Sequence, residues 1–266
     1  MVEPCARLSI EELEFQYDQS EWRLYAQSFQ ANAGEIIAII GPNGSGKSTL
    51  LRLASGVIHS HAAIKINGQR LQKMERREVA RHLAYLPQDP ESEYDYLVSE
   101  IVSLGRYAHA GAGGFLSEQD CKVMQDCMAS TEISGLQTRR LSQLSGGEKR
   151  RVFLASVLAQ EPTILLLDEP TTALDPHHQI RFFNILLDLA KNGITVLAAT
   201  HDINLASHFC KRIVLMDEGK IAADGTPEAV LTEHYLHRVY GEDLLLAQHP
   251  QTGRPVIFPR IMEASH

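Results

Sequence analysis

The sequence lacks long apolar runs. None among its 266 residues approaches the ~20 that a helix needs to cross a bilayer. Residues 1–15 contain Glu3, Glu11, Glu12 and Glu14 and no apolar stretch of the kind found in a secretory signal. We therefore expect a protein that stays in the cytosol.

Cysteine and positive charge are also scarce. The four cysteines form no CxxC pair, so we expect free thiols in a reducing compartment rather than a metal site. The 25 Lys and Arg residues face 33 Asp and Glu, and the net charge of −8 excludes an obligate polybasic nucleic-acid binder. The 44% hydrophobic content excludes a fully disordered chain, and this length can bury a sizeable core.

Short apolar runs alternating with helical patterns predict an α/β fold. Ile36–Ile40 and Ile164–Leu167 are continuous apolar runs, typical of parallel strands buried on both faces. Residues 89–160 show helical patterns and little strand signal, so we expect a helical insert in a mostly parallel core. Leu8–Tyr17 with Arg23–Gln30 predicts an antiparallel β portion. After Gly241 four residues favour an irregular tail: Pro250, Gly253, Pro255 and Pro259.

The first motif is a glycine-rich loop that fits G-x4-G-K-[ST]. Its residues are Gly41, Pro42, Asn43, Gly44, Ser45, Gly46, Lys47 and Ser48, with Thr49 in the helix that follows. Its backbone N–H groups and the helix N-terminus favour bound phosphate. Lys47, at the loop surface, can reach the β- and γ-phosphates, and Ser48 can bind Mg²⁺. The alternative is a glycine-rich turn with an incidental lysine, but the preceding buried strand favours the phosphate-binding loop.

The second motif is a pair of carboxylates at the end of a buried strand. Asp168 and Glu169 follow Ile164–Leu167 directly. Ligands of open α/β sheets bind outside the carboxyl ends of the strands. Beside a phosphate-binding loop, Asp168 is placed to hold Mg²⁺ and Glu169 to orient or deprotonate the attacking water. Alone the pair would mean little, because many strands end in carboxylates.

The third motif, Ser145-Gly146-Gly147, precedes a predicted helix. By itself it predicts only a helix cap. Together with the two other motifs it resembles the ATP-binding cassette ATPases, and the resemblance runs from about Leu8 to about Tyr240.

The resemblance assigns further residues in chain order. It implies that Tyr17 stacks on adenine and that Gln88 contributes to Mg²⁺ binding and catalysis. It implies that Asp175 lies in the loop after the catalytic glutamate, and that His201 is the switch histidine that contacts the γ-phosphate. The other eleven histidines, including His177 and His178, are predicted to be surface residues.

The resemblance also implies a domain plan, cofactors and an assembly. A cassette ATPase domain would cover residues 1–240, with its core in 1–88 and 160–240 and a helical subdomain at about 89–159; residues 241–266 would be the tail. ATP and Mg²⁺ would be the cofactors. In the homodimer, ATP would lie between the phosphate-binding loop of one subunit and four residues of the other: Ser145, Gly146, Gly147 and Asp175.

Three classes of protein carry this cassette: transporter ATPases, chromosome or repair ATPases, and translation factors. Ser145 lies 98 residues after Lys47, which leaves no room for a long coiled coil, and only one cassette is present. The transporter class is therefore favoured, with separate polytopic permease subunits in the membrane. The ATPase itself would lie at the cytoplasmic face of the inner membrane, attached through the permease. A periplasmic substrate-binding protein would act indirectly, and no nucleic-acid partner is expected.

Two segments indicate the cargo. Val98–His109 resembles importers of haem, ferric siderophores and cobalamin, which often read V-x-x-G-R-x-P-H here, although Ala108 replaces the proline. His249–Pro255 is most similar to the haem importers. Haem import is the expected function, with siderophore or cobalamin import as the alternative and a soluble cassette ATPase as the remoter one.

Overall fold

The computed structural model describes residues 6–18, 20–90, 94–111, 115–172 and 174–260. The strands are β1 (Leu8–Gln16), β2 (Arg23–Ala31), β3 (Ile36–Ile40), β4 (Ala63–Ile66), β5 (Gln69–Arg70), β6 (Leu83–Leu86), β7 (Ile164–Asp168), β8 (Thr195–Ala199), β9 (Arg212–Asp217), β10 (Lys220–Gly225), β11 (Leu244–Gln248) and β12 (Pro255–Pro259). The α-helices are α1 (Lys47–Ala54), α2 (Arg76–His82), α3 (Val98–Leu104), α4 (Glu118–Ser130), α5 (Gly146–Leu158), α6 (Pro176–Lys191), α7 (Ile203–Phe209), α8 (Pro227–Val230) and α9 (Glu233–Tyr240).

Ten of these strands form one sheet in the order β5-β4-β1-β2-β10-β9-β3-β8-β7-β6. The block β9-β3-β8-β7-β6 is parallel throughout. The pairs β1-β2, β1-β4, β4-β5 and β9-β10 are antiparallel, and β2 meets β10 in parallel. The predicted α/β fold, with a mostly parallel core and an antiparallel β portion, is confirmed.

The parallel strands are buried on both faces, as their unbroken apolar runs predict. Every residue of β3, β7 and β8 is buried. Leu50, Leu51 and Leu53 of α1 pack on one face of the sheet, in a cluster with strands β1, β2 and β4. Helices α5, α6 and α7 pack on the opposite face. The carboxyl ends of β3, β6, β7 and β8 therefore share one edge between two helical layers.

Helices α3, α4 and α5 form the predicted helical subdomain around a cluster of their own. Val98, Val102, Met128 and Val152 lie at its centre. Arg106, buried after α3, donates to Asp120 at 2.8 Å and to Glu161 at 2.7 Å. The sequence predicts a Gly/Ala loop over Ala108–Gly114, of which residues 112–114 lie outside the described residues. Among those described, no helix combines the length and apolar character that a membrane span requires.

The tail differs from its prediction. Instead of irregular chain, β11 and β12 pair as an antiparallel hairpin with Leu244 opposite Pro259. The amide of Asn204 exchanges two hydrogen bonds with the backbone of Ile257, and Ser207 donates to the Pro255 carbonyl at 2.7 Å. Pro255 and Pro259 are the first and last residues of an edge strand, where a missing N–H is tolerated.

Two helices have no counterpart in the sequence prediction, and one begins earlier than predicted. The missed helix α2 buries none of its residues. In α9 only Leu236 is fully buried, but Tyr235, Val239 and Tyr240 pack beside it, so this short segment carries an apolar stripe that the sequence prediction omits. The sequence predicts a helix over Thr49–Val57, but α1 spans Lys47–Ala54, because the phosphate-binding loop turns directly into it.

Candidate active site

The glycine-rich loop lies between β3 and α1, at the carboxyl edge of the sheet. A Cβ on Gly41 would lie 2.3 Å from the Met216 carbonyl oxygen. Gly46 has φ +105°, and a Cβ there would lie 2.9 Å from the Trp22 ring. The loop therefore requires glycine at both positions, since larger residues would displace backbone or the aromatic wall.

A cavity of about 830 Å³ opens beside this loop. The predicted residues that line it are Tyr17, Asn43, Gly44, Gly46, Lys47, Ser48, Thr49, Gln88, Glu169 and His201. Gly41, Pro42 and Ser45 form the base of the loop instead: the first two bind Lys47, and the Ser45 carbonyl accepts from the Gly219 N–H. Most of the first-motif residues thus face this cavity, together with the three predicted catalytic residues Gln88, Glu169 and His201.

The prediction that Lys47 lies at the loop surface is wrong, because this residue is only 6% exposed. Its Nζ donates to the carbonyl oxygens of Gly41 at 2.8 Å and Pro42 at 3.0 Å. Burial lowers the pKa of Lys47, and the carboxylates of Glu169 and Asp168 oppose that shift. The ammonium group is therefore held in place by the loop backbone before any ligand arrives.

The buried carboxylate of Asp168 suits a divalent cation. Ser48 Oγ donates to its Oδ1 at 2.8 Å, and the Tyr85 hydroxyl donates to Oδ2 at 3.3 Å. Burial raises the pKa of Asp168. A buried carboxylate whose hydrogen-bond partners are hydroxyl groups is favoured by a bound cation, and serine and carboxylate oxygens are ligands that Mg²⁺ accepts.

Glu169 and His201 meet at the mouth of the cavity. Glu169 Oε2 lies 3.1 Å from His201 Nδ1 and accepts a hydrogen bond from Thr172 Oγ1 at 3.1 Å. The Glu169 side chain is 13% exposed, whereas His201 is 63% exposed. The carboxylate is thus held through Oε2 by two neighbours, and the imidazole is accessible from solvent.

An aromatic pair also lines the cavity. Tyr17 stacks on Trp22 with ring centroids 6.4 Å apart, and its hydroxyl lies 3.3 Å from Thr49 Oγ1. Phe15 meets Tyr17 edge-on. A flat exposed ring beside the loop is a surface on which a purine base can stack.

The four predicted partner-contact residues lie elsewhere. Ser145, Gly146, Gly147 and Asp175 line a separate surface cavity of about 310 Å³ with Arg151 and His178. We call this the second half-site. Ser145 caps α5, and its hydroxyl donates to Glu148 at 2.8 Å. Asp175 caps α6 and binds His178 Nδ1 at 2.7 Å; these bonds lower its pKa.

The structure adds site residues that the sequence did not indicate. Tyr85 contacts Asp168, Thr172 contacts Glu169, and Arg150 of α5 reaches the backbone beneath both carboxylates. Tyr85 and Arg150 act through contacts 83 and 18 residues away in sequence, which no local pattern marks, whereas Thr172 lies only three residues after Glu169. The prediction that the other histidines are surface residues is wrong for His109, whose partly buried ring binds the Gln160 carbonyl at 2.9 Å.

The fold and the site define a nucleotide-binding ATPase of the phosphate-loop type. Its features are a buried strand, a glycine-rich loop that turns into a helix, and two carboxylates at the end of another strand of the sheet. The family model of ABC transporters matches residues 24–172. The chain therefore belongs to the ABC transporter family.

Curated relatives cover most of the chain. The hemin import ATP-binding protein HmuV of Pseudomonas entomophila (strain L48) is 39% identical over 237 residues, covering 87% of this chain and 91% of that protein. The ferric enterobactin transport ATP-binding protein FepC of Escherichia coli (strain K12) is 36% identical over 263 residues, covering 97% and 96%.

Solved structures share the fold. A metal-chelate type ABC transporter in an inward-facing conformation is 28% identical with a TM-score of 0.82, and the match covers 96% of this chain and 97% of that chain. The dimeric ATP-binding cassette MJ0796, in a post-hydrolysis state bound to ADP and Pi, is 27% identical with a TM-score of 0.72, and the match covers 82% and 98%.

Proposed function

We propose that this chain binds and hydrolyses ATP to power a membrane importer, with haem as the cargo. One observation carries the ATPase proposal: Lys47, the Ser48–Asp168 pair and the Glu169–His201 pair all meet at one cavity. No single motif would suffice, since each alone has an ordinary structural explanation. The convergence of a fixed ammonium, a cation site and a poised carboxylate fits triphosphate hydrolysis.

Each side chain has a distinct task in this proposal. Lys47 and the loop N–H groups bind the β- and γ-phosphates, while Tyr17 stacks on adenine. Ser48, Asp168 and Gln88 would hold Mg²⁺, which neutralises phosphate charge when bound. Glu169 takes a proton from water as the water oxygen bonds to the γ-phosphorus and the bond to the ADP oxygen breaks. His201 holds Glu169 and contacts the γ-phosphate.

A second copy of the chain would complete the site. The cavity beside the loop is open, and the second half-site lies on a different surface of the same chain. In a homodimer, Ser145 and the start of α5 would face the triphosphate bound by the partner. The dimeric relative bound to ADP and Pi supports this arrangement. ATP binding would then close the dimer, and ATP hydrolysis would reopen it.

The membrane partner would dock on segment 89–115 of the helical subdomain. Tyr107 is 79% exposed and Leu104 58% exposed, so the described part of this segment presents apolar surface to solvent. It follows Gln88 directly, so a docked permease could act on the nucleotide site. The protein would lie at the cytoplasmic face of the cell membrane, served indirectly by a periplasmic substrate-binding protein.

Cross-linking to a co-expressed permease tests the docking surface. Tyr107→Cys should cross-link in a background where the exposed Cys121 is replaced by Ser. Phe258→Cys on the C-terminal hairpin, also exposed, is the matched control. Cross-links from the hairpin alone would reject docking on segment 89–115.

The similarity to HmuV, a relative named for hemin import, favours haem as the cargo. FepC, named for ferric enterobactin transport, keeps siderophore import as the second candidate. Deleting the gene should abolish growth on haem as sole iron source, and a plasmid copy should restore it where a Glu169→Gln copy does not. Normal growth on haem, with loss of growth on a ferric siderophore, would show that the cargo is the siderophore. The proposal of an importer would still stand.

A further inference from the structure

A buried arginine lies beneath the loop of Gln88 and the loop of Glu169. Arg150, on the second turn of α5, is 6% exposed. Its Nε donates to the Pro170 carbonyl at 2.9 Å, Nη1 to the carbonyls of Pro87 and Gln88, and Nη2 to those of Asp168 and Glu169. A guanidinium has five N–H donors, so each of them has a backbone carbonyl here.

These carbonyls belong to the two loops that carry the site. Pro87 and Gln88 follow β6, Asp168 is the last residue of β7, and Glu169 and Pro170 follow it. The two strands are parallel neighbours, with Leu86 beside Leu167. The guanidinium therefore spans the carboxyl ends of both strands and fixes the distance between the loop of Gln88 and the loop of Glu169.

The backbone at Glu169 needs such support. Glu169 has φ +46°, in the left-handed region that non-glycine residues seldom adopt. Its N–H donates to the Ala199 carbonyl at 2.9 Å, and Arg150 binds the carbonyls on both sides of its Cα. Five carbonyl dipoles aimed at one point repel one another unless a cation lies between them. A neutral side chain cannot replace that charge.

The same helix begins at the second half-site. Ser145 caps α5 five positions before Arg150, so one rigid element reaches from the surface that would meet the partner's nucleotide to the loops of this chain's own site. We infer that Arg150 is a positioning residue that sets Gln88 and Glu169 for hydrolysis and links them to the second half-site. This inference rests on the proposed ATPase function.

Substitutions at Arg150 test the inference in the purified chain with Mg-ATP. Arg150→Gln should lower kcat by about 10- to 100-fold, the scale expected when a catalytic group shifts by an ångström. ATP affinity should change less than about 3-fold, because Lys47 and Ser48 are untouched. Arg150→Lys keeps the charge but has three donors, so its kcat should fall between wild type and Arg150→Gln.

The matched control is Arg212→Gln. Arg212 also makes several hydrogen bonds, to Asp224, Gln30 and Glu35, but at the start of β9, away from the cavity. The Arg212→Gln substitution should lower the melting temperature. At temperatures well below melting, it should leave kcat unchanged. Equal kcat losses in both variants would show that any loss of stability slows the enzyme, and the positioning role would be rejected.

A double-mutant cycle identifies the group through which Arg150 acts. If Arg150 works by placing Glu169, then adding Arg150→Lys to Glu169→Gln should change the residual hydrolysis less than about 2-fold. Fully additive losses would contradict the inference. Absence of hydrolysis in wild type would instead reject the proposed function, so the two failures are distinguishable. If Arg150→Gln does not fold, Arg150→Lys still decides the cycle.

Discussion

The cavity beside the phosphate-binding loop and the second half-site both use a helix N-terminus, but their polar groups are engaged differently. In the first, Ser48 and Asp168 come from elements 120 residues apart and meet at 2.8 Å beside an open cavity. In the second, Ser145 binds Glu148 three residues away, on an exposed surface. The first site opens on a cavity beside these contacts, whereas at the second a phosphate must displace the cap's own carboxylate.

This difference assigns separable tasks to the two regions. Binding and bond cleavage belong to the first, because its ammonium, cation site and carboxylate converge within one chain. Closure of the dimer belongs to the second. Variants of the first should change binding or chemistry in the monomer, and variants of the second only assembly and the activity that depends on it.

The largest effect is expected for Glu169→Gln. The amide keeps the size of the side chain but cannot take a proton, so hydrolysis should fall by about 10²-fold or more. ATP binding should persist, and size-exclusion chromatography with Mg-ATP should show an accumulated dimer. Asp168→Asn should differ by weakening Mg²⁺-dependent binding. Hydrolysis near the wild-type rate would reject Glu169 as the base, and a monomer at saturating ATP would reject the closed dimer.

Lys47→Ala should come next. Hydrogen bonds to charged groups contribute about 1.5–3 kcal/mol each, so ATP affinity should fall about 10- to 100-fold. Stability should fall slightly, because the Gly41 and Pro42 carbonyls lose their donor. A nucleotide titration followed by tryptophan fluorescence measures the affinity, since Trp22 lines the cavity. Near-normal affinity would overturn the phosphate-binding assignment.

Ser145→Ala should have a smaller effect, confined to the second region. It removes the hydroxyl offered to the partner's nucleotide, so hydrolysis should fall about 10-fold, as expected for one charge-assisted hydrogen bond. ATP binding by the monomer should be unchanged. Glu148→Gln is the matched variant: it keeps a capping group and removes negative charge, so dimer formation should be retained or rise. A changed monomer affinity in Ser145→Ala would break the division of tasks.

Sequence reasoning predicted the first region better than the second. Ile36–Ile40 and Ile164–Leu167 are unbroken apolar runs, and the motif residues follow them at once, so local pattern placed Lys47 and Glu169 at one sheet edge. Arg150 gave no signal, because an arginine in a helix after Ser-Gly-Gly is usually solvent-exposed and its five acceptors come from two distant loops. The C-terminal hairpin was missed for a similar reason, since side chains of α7 hold it and prolines mask its strands.

The smallest effect concerns the charge of Asp175 in the second half-site. The hydrogen bonds from His178 hold the pKa of Asp175 below its ordinary value, so its charge stabilises the fold above the unfolded-state pKa of about 3.9. That contribution is lost as the pH falls through the lower folded-state value. Asp175→Asn keeps a capping side chain without the charge. Its melting temperature should lie slightly below wild type at pH 7, and the gap should close in acid. A gap that stays constant down to pH 2 would show that the cap acts through shape alone and that the charge of Asp175 does not contribute to the stability of this chain.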